Sequence, residues 1–553
     1  MVRRRLPRGM EVNPARAVLA CASLALAAAI AATSIRAADS KRTVEFHTSD
    51  RCVACHNGMR TPSGEDMSIG FDWRASMMAN SSRDPYWQAS VRRETIDHPN
   101  AAAEIEDECA VCHMPIVRYE AKLRGERARI FAHLPFDRGD EDRMKAADGV
   151  SCSVCHQIST EKLGTADSFN GGFVVQPPVD PAARPEYGPY EVDKGHRRIM
   201  LSSTEGYQPT QSNHIRQSEM CATCHTLFTT ALGPDGREIG RLPEQVPYQE
   251  WLHSDYRNTQ SCQSCHMPKV VEPVPITRVF GRPREGVARH LFVAANFFMQ
   301  RMLNRYRETL DVAALPQELT AAADRTIEYL GARAAAVRLS DLRVEDGRLR
   351  VDVAVENLGG HKLPTAYPSR RAWLHLVVRD GAGRIVFESG ALNADGSIKG
   401  NDNDVEAQKF ELHYTEIRSA DQVQIYESIL GDSKGGVTTG LLTAVGYLKD
   451  NRLLPRGFDK QTAESDIAVH GGAADDSDFA GGRDQIRYSV PIANAAGPFG
   501  VTVELLYQPI GFRWANNLKN YNSAPEPQRF TSYYEAMAAG SAATLATAQA
   551  AVR

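Results

Sequence analysis

Between residues 349 and 356 apolar and charged side chains alternate, with Leu349, Val351, Val353 and Val355 on one side and Arg350, Asp352 and Glu356 on the other. A period of two predicts a β-strand with one buried face. The same alternation recurs at Leu374, Leu376 and Val378, and at Val501, Val503, Leu505 and Tyr507. Between the strand AWLHLVVRD and the segment RIVFESG, Asp380-Gly381-Ala382-Gly383 reads as a hairpin turn. These patterns predict an antiparallel β-sandwich over residues 340–524, immunoglobulin-like in general shape. His375 and His413 are assigned to its strands and His470 to a loop.

Upstream the pattern is different. Residues 38–312 show few alternating runs and hold long loops such as 175–195, VQPPVDPAARPEYGPYEVDKG. One helical stripe stands out there, Leu291, Ala294, Phe298, Met302 and Tyr306, with His290 at its start. A connector over 313–339 contains a helix opening at Pro316, and the tail 525–553 is predicted to be helical or disordered. The expected class is therefore a multidomain chain, with a mainly α and irregular first half followed by an all-β domain.

The length of 553 residues suits two to four domains. The start MVRRRLPRGM is basic, Ala17–Thr33 is apolar, and Ser34-Ile35-Arg36-Ala37 ends in a small residue. This is the layout of a secretory signal over 1–37, cut after Ala37. An uncleaved membrane anchor, or a lipobox with acylated Cys21, are the alternatives. No other segment is apolar enough to span a bilayer, and the signal leads one to expect an exported mature chain, periplasmic, extracellular or at the cell surface. Beyond residue 37 there are 58 basic and 67 acidic residues, a balance of −9 that argues against nucleic acid as a partner.

Apart from Cys21, the cysteines fall into five pairs, each with two residues between its members: Cys52 and Cys55, Cys109 and Cys112, Cys152 and Cys155, Cys221 and Cys224, Cys262 and Cys265. A histidine follows every pair, at His56, His113, His156, His225 and His266. Disulfides over so short a span close tiny loops and explain no histidine. Paired zinc knuckles would sit closer together, since these pairs start 57, 43, 69 and 41 residues apart. CxxCH is the attachment sequence of c-type haem, in which two thiols join the haem vinyl groups and the histidine becomes the proximal iron ligand. The sequence thus predicts five covalent haems.

The sixth ligand decides whether an iron passes electrons or binds a small molecule. Context ranks the distal candidates as His214, His290, His98 and His361, with His253, His133, His196 and His47 in reserve. Met77 and Met78, in FDWRASMMANSSRDPYW, are thioether candidates or core packing. Met114 and Met267 directly follow proximal histidines and are expected to pack against a haem face or edge. Asn401–Asp404 and Asp475–Asp478 are oxygen-rich turns that could take calcium, although such turns are usually just solvated.

The five CxxCH motifs, with WRASMMANSSRDPYW, SNHIRQSEMCATCHTL, YQEWLHSDYRNTQSCQSCHMP and ARHLF, resemble multihaem cytochromes c of the cytochrome c-554 and c-552 type. The resemblance covers about residues 45–305. It implies closely packed haems forming a wire, mostly with bis-histidine ligation, and matches His214 and His290 to distal ligands. In such proteins the tryptophan-centred motif near Trp73 usually supplies a histidine where this chain has Met77 or Met78. No CxxCK motif occurs. The leading expectation is an electron carrier between redox proteins, docking to basic partners at rates that fall with salt. The alternative is an oxidoreductase acting on a small nitrogen or sulfur compound at a haem with an open or methionine-ligated position. A third reading makes the sandwich a docking domain. Assembly with itself or with other chains stays open at this stage.

Overall fold

The structure is a computed structural model that describes residues 46–176, 183–492 and 495–553. The signal segment, Cys21 and part of the 175–195 loop lie outside the described residues.

The first half consists of short helices joined by turns. Its longest helix before the connector, Pro85–Asp97, starts where Asp84 accepts hydrogen bonds from the amides of Tyr86 and Trp87, with Pro85 in the first turn. Three two-stranded ribbons also occur, in segments that showed no alternation: β1 (Arg184–Gly188) with β2 (Tyr207–Gln211) in parallel, β3 (Leu227–Leu232) with β4 (Glu238–Gln245), and β5 (Val274–Pro275) with β6 (Pro283–Arg284). The helix expected from His290 begins only at Phe297 and ends at Arg305. Phe292 has φ of 46°, a left-handed conformation that a helix cannot contain, so His290 sits in a turn seven residues ahead of the helix.

The connector helix is Pro316–Arg333, and the chain enters β7 (Ala335–Glu345) directly after it. β7 pairs with β8 (Arg348–Asn357), whose inner residues Leu349, Val351, Val353 and Val355 are fully buried. β9 (Arg371–Arg379) and β10 (Ile385–Ser389) form the expected hairpin, with Gly383 at φ of 79°. Then follow β11 (Glu416–Ile417), β12 (Ile425–Asp432), β13 (Val437–Thr438), β14 (Ala444–Asp450), β15 (Arg483–Pro491), β16 (Phe499–Gln508) and β17 (Ala543–Val552). One sheet has the order β11-β15-β8-β7; the other runs β13-β12-β9-β16-β17, with β10 on β9 and β14 on β12. All pairs in both sheets are antiparallel except β11 with β15. The two sheets share one core, in which Val353 and Tyr488 of one join Leu374 and Val503 of the other.

Two expectations are corrected here. The tail holds a helix, Pro525–Glu535, and then the strand β17, which pairs along most of β16. Its Ala-rich sequence favours helix by propensity, but a neighbouring strand edge outweighs that preference. His413 lies in the loop before β11, not in a strand. Residues His47–Arg553, which include both halves, form one compact unit. Phe297, Phe298 and Met302 of the first half belong to the same buried cluster as the sandwich core, and Arg92 of the helix Pro85–Asp97 pairs with Glu526 at 2.8 Å.

Candidate functional site

A cavity of about 2060 Å³ runs through the first half and up to the sandwich. Small-molecule pockets are usually roughly 300–1,000 Å³, so this space exceeds a single ordinary ligand site. Its walls include all ten paired cysteines and all five histidines that follow them. A helical turn explains why each motif can present three groups at once. Residues three and four apart share one helix face, and His56 and His225 donate their amides back to Cys52 and Cys221 in this way, at 3.1 and 3.0 Å.

The imidazoles are held in defined orientations. The Nδ1 atom of His56 meets the carbonyl of Ile276 at 2.5 Å, that of His113 meets Ser81 at 3.0 Å, that of His156 meets Tyr187 at 2.6 Å, and that of His266 meets Val293 at 2.5 Å. Nδ1 donates to each carbonyl, which leaves Nε2 of these four rings as the free, lone-pair-bearing nitrogen, the tautomer a metal ligand needs. Burial keeps the rings neutral: it pulls His113 and His266 down to about 4 and His290 down to about 3. Trp87 stacks on His113 with ring centroids 4.3 Å apart and planes 4° from parallel. Among the described residues the His225 ring has no hydrogen-bond partner, and burial and then the nearby Arg370 lower its pKa.

Two of the five rings face a second histidine. His156 and His290 have centroids 6.3 Å apart, as do His266 and His361. Two imidazole nitrogens each about 2.0–2.1 Å from one metal, with about 1.1 Å more to each ring centre, give a centroid separation of about 6.3 Å. The residues present therefore fit an iron held between opposed imidazoles.

The motifs also meet one another. None of the ten cysteines is in a disulfide. Cys52 lies beside Cys152, Cys221 beside Cys262, and Cys224 beside Cys112. Cys155 lies within electrostatic reach of both Cys221 and Cys224. Two of these junctions repeat a detail of construction. Ser49 Oγ accepts the amide of Cys152 at 3.1 Å, and Ser218 Oγ accepts the amide of Cys262 at 3.1 Å. Each serine stands three residues before the first cysteine of its own motif. The fourth motif is thus adjacent to the second, third and fifth, and the first is adjacent to the third.

The distal candidates separate. His290, His361, Met77, Met78 and the reserve His196 line the cavity. His214, ranked first from sequence, is buried with both nitrogens engaged, Nδ1 with Ser212 Oγ at 2.6 Å and Nε2 with the carbonyl of Ile158 at 2.8 Å. It has no free nitrogen for iron. His98 caps the helix Pro85–Asp97 away from the cavity wall, its Nε2 buried without a partner. His253 is also off the wall, bonded to the carbonyl of Gln249 at 2.8 Å. His196 is tied to Asp193 at 2.7 Å and to the carbonyl of Val279 at 3.1 Å, and His47 to that of Thr204 at 3.0 Å. His133 ends the turn Ile130–His133. Met267 lines the cavity, while Met114 is fully buried in a neighbouring apolar cluster.

The two oxygen-rich turns are committed to other partners. The Asp404 carboxylate is taken by Arg371 at 2.8 Å and the Ile398 amide at 2.8 Å. Asp476 pairs with His413 at 3.0 Å, in a group with Asp484 whose ligand atoms lie within 4.8 Å of one another. His413 Nδ1 accepts from Gln424 and Asn451 at 3.0 and 3.1 Å, so its Nε2 carries the proton and donates to Asp476. That tautomer makes the group a hydrogen-bond network with no metal-binding nitrogen. Among the described residues no helix is long and apolar enough to cross a membrane.

No protein-family model matches this sequence, and no curated protein matches it. Among solved structures the chain is similar to a penta-heme cytochrome c552 from Thermochromatium tepidum, at 15% sequence identity and a TM-score of 0.49, over 92% of this chain and 100% of that one.

Proposed function

We propose that this chain is an exported pentahaem c-type cytochrome that relays electrons between redox proteins. The observation that carries the reading is the single cavity on which ten paired cysteines and their five histidines converge, with His156 opposite His290 and His266 opposite His361 at 6.3 Å. In this reading the cysteine pairs hold each haem, the five following histidines are proximal ligands, and His290 and His361 are distal ligands. Haem, when bound, supplies a one-electron iron couple. The protein's part is to fix spacing, exclude water and keep the imidazoles neutral and oriented by their carbonyl partners. The contacts between motifs support short steps from one centre to the next. Net acidity beyond the signal favours partners with basic faces and salt-sensitive association.

The test is to mature the full chain in a host that attaches c-type haem and to count haem per polypeptide. Five is expected; a count below five in fully matured protein refutes the assignment of the motifs.

The second reading, an oxidoreductase acting on a small nitrogen or sulfur compound, is favoured by Met77 and Met78 on the cavity wall and by the three proximal rings with no opposed histidine ring among the described residues. Cyanide titration of the oxidised protein separates the two. An electron carrier leaves every iron low-spin and unreactive, whereas binding at one iron moves the assignment to the enzyme.

A further inference from the structure

His361 belongs to the sandwich half, in the loop after β8, yet it faces His266 of the fifth motif. The loop is fixed by four charged side chains that are almost wholly buried. Lys362 and Glu250 are 0% exposed, Asp450 1% and Arg452 4%. Lys362 Nζ reaches Asp450 at 2.7 Å, Arg452 reaches Asp450 at 2.7 Å, and Arg452 reaches Glu250 at 3.1 Å. Glu250 lies on the helix Pro247–Leu252, just ahead of the fifth motif, and Asp450 ends β14.

The same groups hold the backbone on both sides of His361. Glu250 accepts the amide of Lys362 at 3.0 Å and the hydroxyl of Thr365. Asn357 donates to the carbonyl of His361 at 2.8 Å, and Tyr256 donates to that of Leu358 at 2.9 Å. His361 Nδ1 turns back to the carbonyl of Lys362 at 2.9 Å, leaving Nε2 free. A Cβ on Gly360 would stand 3.3 Å from Trp251, so the loop lies directly on the helix that carries Glu250.

Buried ion pairs are weak sources of net stability, because desolvation offsets the attraction, and their best attested use is to fix one arrangement over others. We propose that Glu250, Arg452, Asp450 and Lys362 are positioning residues that hold His361 on the axis of His266, so that the sandwich sets the ligation of the fifth haem. This rests on the haem reading above.

The experiment uses the full, matured protein and reads low-spin absorption, magnetic circular dichroism and a spectropotentiometric titration. His361→Ala defines the signature: the low-spin component of the fifth haem is lost, and added imidazole restores it. Glu250→Gln is expected to lose or shift the same component, again with rescue by imidazole. Glu250→Gln combined with Arg452→Gln leaves the network neutral and safeguards folding; it is expected to give the same signature. Glu250→Asp is expected to retain most of the original spectrum. Asp484→Asn, another buried carboxylate of the sandwich, should change stability and leave all five centres spectroscopically intact. If the charge-neutral pair keeps the His361-dependent component unchanged, the positioning role is overturned while the haem reading stands. If His361→Ala itself leaves every iron low-spin, the ligand assignment falls and this inference with it.

Discussion

Replacing the two serines at the motif junctions by alanine should give unequal losses, and the inequality can be worked out from their contacts. Ser218 is 2% exposed and accepts one amide, that of Cys262, at 3.1 Å. Cys262 is partly exposed, so water can replace the lost hydroxyl, and Ser218→Ala should cost about 1 kcal/mol. Ser49 is 1% exposed and serves two partners, accepting from Cys152 at 3.1 Å and donating to Asp148 at 2.8 Å. A bond to a charged acceptor is worth roughly 1.5–3 kcal/mol against about 1 kcal/mol for a neutral one. Burial raises Asp148 to about 7 despite the opposing hydrogen bonds from Ser49. At pH 8 that carboxylate is charged, and Ser49→Ala should cost about 3 kcal/mol. At pH 5 it is protonated, and the cost should fall to about 2 kcal/mol. The assay is urea denaturation of the matured protein followed by far-ultraviolet circular dichroism, with the covalent cofactors retained throughout. The reasoning is refuted if Ser218→Ala costs as much as Ser49→Ala at pH 8, or if the gap between them does not narrow at pH 5. The two effects should add in the double variant, because the serines share no partner.

Asp484 is raised to about 7 by burial, so its contribution to stability is present below the ordinary carboxylate value and is lost as pH rises through about 7. Asp484→Asn should therefore flatten the fall in stability between pH 4 and 7 by as much as about 4 kcal/mol, measured as the difference between variant and parent unfolding curves. Trp87→Ala removes the ring stacked on His113 and should cost about 3–5 kcal/mol, read as a lowered denaturation midpoint, with any change in absorption confined to one haem. Ending the chain at Arg333 should yield no soluble haem module, because Phe297, Phe298, Met302 and Leu303, each 0–1% exposed, lose the sandwich core they pack into. A soluble, fully loaded product of that truncation would show two independent halves.

The parts of this molecule that were legible in the sequence are those governed by short spacing. Alternation at 349–355 and 501–507 marked β8 and β16, and the fixed CxxCH spacing marked the ten cysteines and five histidines that line one cavity. What escaped notice depends on partners distant in sequence. His214 looked like a ligand because of its place before a motif, but the carbonyl of Ile158, 56 residues earlier, takes its Nε2. His361 ranked below His214 by local context, since what holds its loop includes Glu250, 112 residues before Lys362. The sequence did hold a signal for the junctions. The first and fourth motifs share a serine three residues before their first cysteine, and the third and fifth share a serine directly before theirs, at Ser151 and Ser261. In the structure the upstream serine of the first motif bonds the third, at Cys152, and that of the fourth bonds the fifth, at Cys262. The strand β17 was missed because Ala and Thr give no contrast between its faces.

The adjacency of the motifs can be drawn as a graph with five points and four links: first to third, third to fourth, fourth to second, and fourth to fifth. Of these four links, three run through the fourth motif. On the proposed haem reading, a lesion at Cys221, Cys224 or His225 should therefore slow transfer among the other centres more than a lesion at any other motif.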